Sequence, residues 1–267
     1  MKLGLSTWSL LGMDVYAAVG TMVDARIDYV ELWGELPHAY PGWADERRLR
    51  DALSTSGLTV TTHAPFTDLN PAAPDSQVRE AIQKALERFV EFSARLGASM
   101  VTVHPGAVHN ELLVADSMAA SVSTIRRMVK AAGGRLSINV ENQARSASPY
   151  NHPLASSAES LMDLLSEVED ARCTLDTGHA FASGQDPRRS AGKLEGKVSE
   201  IHLSDNSGKS DEHLIPGEGK APLRELVEKF SHTDALVCLE INPHVYGKEA
   251  VLTGFERAKR MFSPGNI

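Results

Sequence analysis

Nine residues in this chain carry chemistry at suggestive places: His63, His104, Glu141, Asp176, His179, His202, Asp211, His213 and Glu240. Most of them end or closely follow a short run of apolar residues. A lone histidine or glutamate in such a place is ordinarily a hydrogen-bonded or solvated side chain. Several together are different, because burying Glu141, Asp176 and Glu240 near one another without a cation costs several kcal/mol or a large rise in pKa. A divalent metal removes that penalty. Imidazoles and carboxylates without a thiolate suit zinc, manganese or iron, and they make no all-oxygen cage for calcium. Nine donors exceed the needs of one ion. The cluster therefore holds two or three ions, or one central ion whose neighbours orient substrate and ligands.

The convergence requires a scaffold that brings strand ends together. Strand-like runs fall at Leu3–Thr7, Tyr29–Trp33, Thr59–His63, Met100–His104, Ser137–Glu141, Cys173–Asp176, Glu200–Leu203 and Val237–Ile241. Between them lie stretches with helical spacing. The clearest spans 76–96, with Val78, Ile82, Leu86, Phe89 and Val90 on one face, Asp75 as N-cap and Gly97 as stop. Weaker helices are expected near 14–25, 45–56, 115–132, 157–168, 188–195, 221–231 and 248–262. Alternating strands and helices of this number and length predict an α/β fold, a single (β/α)8 TIM barrel over residues 1–267, with its site at the C-terminal ends of the strands. No GxGxxG follows a strand to support an open doubly wound sheet.

Composition bounds the rest. The chain has 267 residues, 42% hydrophobic and 23% charged, with a net charge of −8. At this length neither metal nor disulfide is needed simply to hold a fold together, so a metal site would be functional. No apolar run is long enough for a membrane-spanning helix, and Met1–Gly20 reads as strand and helix rather than signal peptide. Cys173 and Cys238 read as packing residues, which fits a cytoplasmic protein. The acidic balance gives no sign of a polyphosphate partner.

The blocks His63-Ala64-Pro65-Phe66, Val101-Thr102-Val103-His104-Pro105-Gly106, Val140-Glu141-Asn142, Leu175-Asp176-Thr177-Gly178-His179-Ala180, Ile201-His202-Leu203-Ser204-Asp205-Asn206, Asp211-Glu212-His213 with Pro216-Gly217-Glu218-Gly219, and Leu239-Glu240-Ile241 resemble the xylose-isomerase-like TIM-barrel superfamily. Tyr29-Val30-Glu31-Leu32-Trp33-Gly34 resembles the second strand of its sugar-isomerase branch.

In the isomerase and epimerase branch the resemblance implies one divalent ion on Glu141, Asp176, His202 and Glu240, with the two glutamates as acid and base. The substrate would be a small ketose or sugar phosphate passing through an enediolate. In the endonuclease IV branch it implies three zinc ions on all nine positions, cleaving DNA at abasic sites.

Three features favour the first branch. Gly178 and the compact stretch Ser204–Gly219 follow the sugar-isomerase pattern. Phe66 stands where the repair motif carries a tyrosine. The loop Gly34–Asp45 has no Lys or Arg to grip phosphates but offers Trp33, Trp43, Tyr40 and His38 to cover a small ligand. His179, Trp33 and Lys209 are expected against the substrate. A metal-binding barrel without catalysis is a third alternative, and assembly as a homo-oligomer is open.

Overall fold

The computed structural model describes residues 2–230 and 233–262. Eight parallel strands close into a barrel: β1 (Lys2–Ser6), β2 (Tyr29–Trp33), β3 (Thr59–His63), β4 (Met100–Val103), β5 (Ser137–Glu141), β6 (Arg172–Asp176), β7 (Val198–Leu203) and β8 (Leu236–Leu239). Each pairs with its sequence neighbour, and β1 closes on β8 with Leu3 opposite Val237. The TIM-barrel expectation is met.

The helices are α1 (Val15–Asp24), α2 (Glu46–Ser56), α3 (Ser76–Arg95), α4 (Val114–Ala132), α5 (Ala158–Ser166), α6 (Thr177–Ala182), α7 (Pro187–Lys193), α8 (Leu223–Phe230) and α9 (Lys248–Met261). Their starts are written in the sequence. Asp14, Asp45 and Asp75 each accept backbone N–H groups of the first turn they precede. Gly57 and Gly133 end α2 and α4 in the left-handed conformation that glycine tolerates best. Residue 231, the last of the helix expected at 221–231, lies outside the described residues. None of these helices is long and apolar enough to cross a membrane.

Three features depart from the sequence reading. Helix α6 leaves β6 with no loop between them, so His179 sits on its first turn. Val78, expected on the buried face of α3, is exposed, because a helix of 20 residues is about 30 Å long and overhangs a five-residue strand. His104 and Glu240 each fall just beyond their strands.

The apolar core lies between sheet and helices, with Leu32, Leu86, Phe89, Val101, Ile125 and Phe255 among its buried members. The barrel interior is polar instead. Thr61 donates to Glu200 Oε1 at 3.1 Å, and Thr102 and Thr174 donate to Glu200 Oε2 at 2.7 and 3.3 Å. Side chains two residues apart share a face of a strand. The residues two positions beyond these four are therefore His63, His104, Asp176 and His202. A ring of donors is stacked on a hydrogen-bonded plug.

Candidate metal centre

All nine expected donors gather at the C-terminal mouth of the barrel. Glu141 is the hub. His63 Nε2 and His104 Nε2 lie 3.0 and 3.1 Å from its Oε2, and His202 Nδ1 lies 3.1 Å from its Oε1. Glu240 Oε2 is 3.5 Å from the same His202 nitrogen. On the far side, Asp211 Oδ2 stands between His179 Nε2 at 3.2 Å and His213 Nε2 at 3.1 Å.

The backbone fixes which ring nitrogen faces the centre. His63 Nδ1 donates to the Ala64 carbonyl at 2.8 Å, and His179 Nδ1 donates to the Asn142 carbonyl at 2.7 Å. Both Nε2 lone pairs then point inward, the outer-partner arrangement common to metal-binding imidazoles. Asn142 also clamps the β6 terminus, its side chain exchanging two 2.8 Å hydrogen bonds with the Asp176 backbone. Gly178 is required by a close approach, because a Cβ there would collide with Ser204 Oγ. His213 is held at a φ of 48°, a left-handed conformation uncommon for a residue other than glycine. Its loop is stapled by Asp205, whose carboxylate accepts the N–H groups of Gly217, Gly219 and Ala221.

One atom tests whether these residues fit a cation. Asp176 Oδ2 is buried and has no hydrogen-bond partner, while Oδ1 accepts the His179 N–H at 2.5 Å. A buried carboxylate oxygen left bare is costly unless something positive belongs beside it. One donor atom from each of Glu141, Asp176, His202 and Glu240 lies within 4.8 Å of the others, as is true of three further groups among the described residues, His63–Glu141–His202, His179–Asp211–His213 and Glu31–Glu200–His202. The donor set fits a divalent metal.

The electrostatics follow from this crowding. Burial raises Glu141, but His202 and His104 outweigh it and hold the carboxylate well below its usual range. Glu240, with weaker support, is pushed up to about 7, chiefly by burial. Burial lowers His63 and His213, yet Glu141 facing the first and Asp211 facing the second carry both up to about 9.

Above the donors opens a cavity of about 320 Å³ walled by Trp8, Trp33, Phe66 and His244 besides several of the donors themselves. Trp33 is thus in the wall. The rest of its loop is not: His38 is fully buried with Nε2 on the Met13 carbonyl at 2.9 Å, and Trp43 is 63% exposed. Lys209 is exposed and stands outside the wall. The segments that follow the strands, 34–45, 64–75, 104–113, 142–157 and 204–222, carry no cation besides Arg145, Lys209 and Lys220.

Sequence reasoning missed Glu31, Glu200 and Trp8. Glu31 and Glu200 are wholly buried, and Glu31 Oε2 lies 3.0 Å from His202 Nε2. The signals were present: Glu31 is the one charge within Tyr29–Trp33, and Glu200 is two residues from His202 on the same face. Trp8 stands on a short turn after β1, edge to face with His213 at 4.9 Å.

A closed eight-stranded barrel with an imidazole and carboxylate centre at its C-terminal mouth defines a class of TIM-barrel protein. The chain belongs to the xylose isomerase-like TIM barrel family, whose model matches residues 21–261. Fructoselysine 3-epimerase of Escherichia coli O157:H7 is 23% identical over 272 residues, covering 94% of this chain and 96% of its own. Probable endonuclease 4 of Mycobacterium leprae is 26% identical over 200 residues, covering 71% of this chain and 75% of its own. The solved structure of a D-tagatose 3-epimerase-like protein shares the fold, with a TM-score of 0.86 and 24% identity over 98% of this chain and 97% of that one.

Proposed function

We propose that the protein is an isomerase or epimerase that moves a proton alpha to the carbonyl of a small ketose or related sugar. Glu141, Asp176, His202 and Glu240 would hold one divalent cation, zinc or manganese, and Glu141 and Glu240 would serve as base and acid. The observation that carries this reading is the four-residue donor group, with the bare Asp176 Oδ2 in it, beneath a cavity of small-molecule size. The near full-length likeness to fructoselysine 3-epimerase supports a sugar substrate.

When bound, the cation polarises the substrate carbonyl and stabilises the negative charge of an enediolate. The protein supplies the proton movements. Glu141 and Glu240 come from β5 and from just beyond β8, three strands apart round the ring, so they reach a shared substrate from different sides. One glutamate removes the proton from carbon. Delivery of a second proton, held by the other glutamate, to the same carbon from the opposite face gives an epimer, and protonation of the former carbonyl carbon instead gives an aldose. His179, in the cavity wall, orients a substrate oxygen, and the Trp8 and Trp33 rings exclude water from the reacting face.

The test is solvent exchange. With metal-loaded protein in deuterium oxide, NMR should show deuterium entering alpha to the carbonyl of at least one ketose. Its absence across a ketose panel would reject the reading.

A second reading rests on two of the other donor groups, His63–Glu141–His202 and His179–Asp211–His213, which with the first group suit up to three cations in an endonuclease IV-like hydrolase. Against it stands the near absence of cations on the rim segments, where a DNA-binding protein needs them to neutralise phosphates. Nicking of an abasic duplex at three zinc ions per chain would establish it.

A further inference from the structure

A second cavity, of about 480 Å³, adjoins the first. Phe66 and His104 stand in the walls of both, so a ligand in one can continue into the other. The second cavity is built from residues following β3, β4 and β5, between Phe66 and Pro71, His104 and His109, and Gln143 and Asn151.

The cavity is preformed. Ala107–Val108 pairs with His152–Pro153 as a two-stranded antiparallel sheet beneath it. Asn70 locks that floor, donating to the Ala107 carbonyl at 2.7 Å and accepting the Ala107 N–H at 3.2 Å. Gly106, at a φ of 97°, packs so closely on Asn70 that no side chain fits there.

The wall chemistry selects the occupant. Among the described residues the second cavity is lined by no Asp, Glu, Lys or Arg. A phosphate or carboxylate there would lose its water without gaining a Lys or Arg partner, and an ammonium would gain no carboxylate. Besides the imidazoles of His104 and His109, what the wall offers is apolar or polar and uncharged. Gln143 Oε1 is buried and accepts no hydrogen bond, although the Gln143 backbone is fixed by its N–H on the Ala155 carbonyl at 2.8 Å. Phe66 and Tyr150 present exposed rings, 39% and 78% accessible. An unpaired acceptor beside two open aromatic faces suits a ligand with hydroxyl donors and apolar C–H faces. That is a sugar ring.

We propose that the substrate is an unphosphorylated ketose carrying a neutral polar substituent, a second sugar ring, which fills the second cavity while the ketose lies over the donor group. This deepens the isomerase or epimerase reading and rests on it. With the unpaired Gln143 side chain turned toward the cavity, the hydroxyls of the outer ring donate to its Oε1, and the C–H face of that ring lies on Phe66 or Tyr150.

The experiment compares fructose, fructose 6-phosphate, isomaltulose and lactulose with the metal-loaded full chain in deuterium oxide. Exchange rates are followed by NMR, and binding by saturation transfer. At least one disaccharide should exceed fructose about 10-fold or more in kcat/KM, with saturation on its non-ketose ring, and fructose 6-phosphate should fall below fructose. Gln143→Met, which removes no hydrogen bond within the protein, should lower kcat/KM for the disaccharide about 5-fold and leave fructose unchanged. Thr67→Trp, which fills the second cavity from its exposed edge, should abolish the preference for the disaccharide.

Preference for fructose 6-phosphate, or variants that slow fructose and disaccharide alike, would overturn this inference and leave the proton-transfer reading standing. Exchange in none of the four would overturn both.

Discussion

Glu31 Oε2 lies 3.0 Å from His202 Nε2, on the side of the ring opposite the Nδ1 that faces Glu141. A carboxylate behind an imidazole fixes the tautomer, leaving Nδ1 free to ligate, and raises the basicity of the ring. Glu31→Gln keeps the shape and removes the charge. Metal affinity, measured by competition with a chelator of known strength, should fall about 10- to 100-fold while the chain stays folded by circular dichroism. Unchanged affinity would leave Glu31 as packing alone.

Glu141→Gln and Glu240→Gln bear on the proton steps. Positioned acid and base groups are worth about 10²–10⁴-fold, so each variant should lose at least about 100-fold in kcat. Deuterium exchange separates the pair, since a variant lacking only the returning acid still releases the substrate proton. Near wild-type turnover in either variant would remove that glutamate from the chemistry.

The metal-free protein should lose stability as pH rises. Burial pushes Glu200 and Glu240 from 4.5 up to about 7, so ionising them is harder in the fold than in the unfolded chain. Their contribution is complete below pH 4.5 and lost as pH climbs through 7. For His63 and His213, where burial lowers the pKa but facing carboxylates outweigh it, the rise is from 6.5 to about 9, and their contribution is lost as pH passes 9. His104, lowered by burial, opposes this in part. The Tm of chelator-treated protein should fall between pH 6 and pH 9. Added zinc or manganese should restore more Tm at the upper end, because ligands bind deprotonated. A metal-free Tm that rises over this interval would contradict the electrostatics described above.

Gly178→Ala probes the close packing beneath His179. The added Cβ meets Ser204 Oγ, and overpacking of this kind costs about 1–3 kcal/mol. Denaturant unfolding should show that loss, and Ser204→Gly in the same chain should recover most of it. A Gly178→Ala protein as stable as the parent would mean that α6 yields freely.

The strands and the nine rim residues were legible in the sequence because most of these carboxylates and imidazoles end or closely follow an apolar run, and a barrel collects strand ends at one mouth. The hydrogen-bonded plug was less so. Thr61, Thr102 and Thr174 read as ordinary β-branched strand residues, and only their convergence on Glu200 gives them meaning. Val78 shares the apolar face of its helix in the sequence and yet is exposed, because periodicity registers the face of a helix and not where its partner ends. His38 looked like a ligand cover because a loop sequence does not show which way the chain folds back. The second cavity was invisible, since its walls come from three segments far apart in the chain.

The shared cation is tested most directly by anomalous X-ray scattering from crystals of protein purified without chelator, recorded at the metal absorption edges. The account predicts a zinc or manganese peak within bonding distance of Glu141, Asp176, His202 and Glu240 together. Crystals with no peak there, whatever lies elsewhere on the rim, would contradict it.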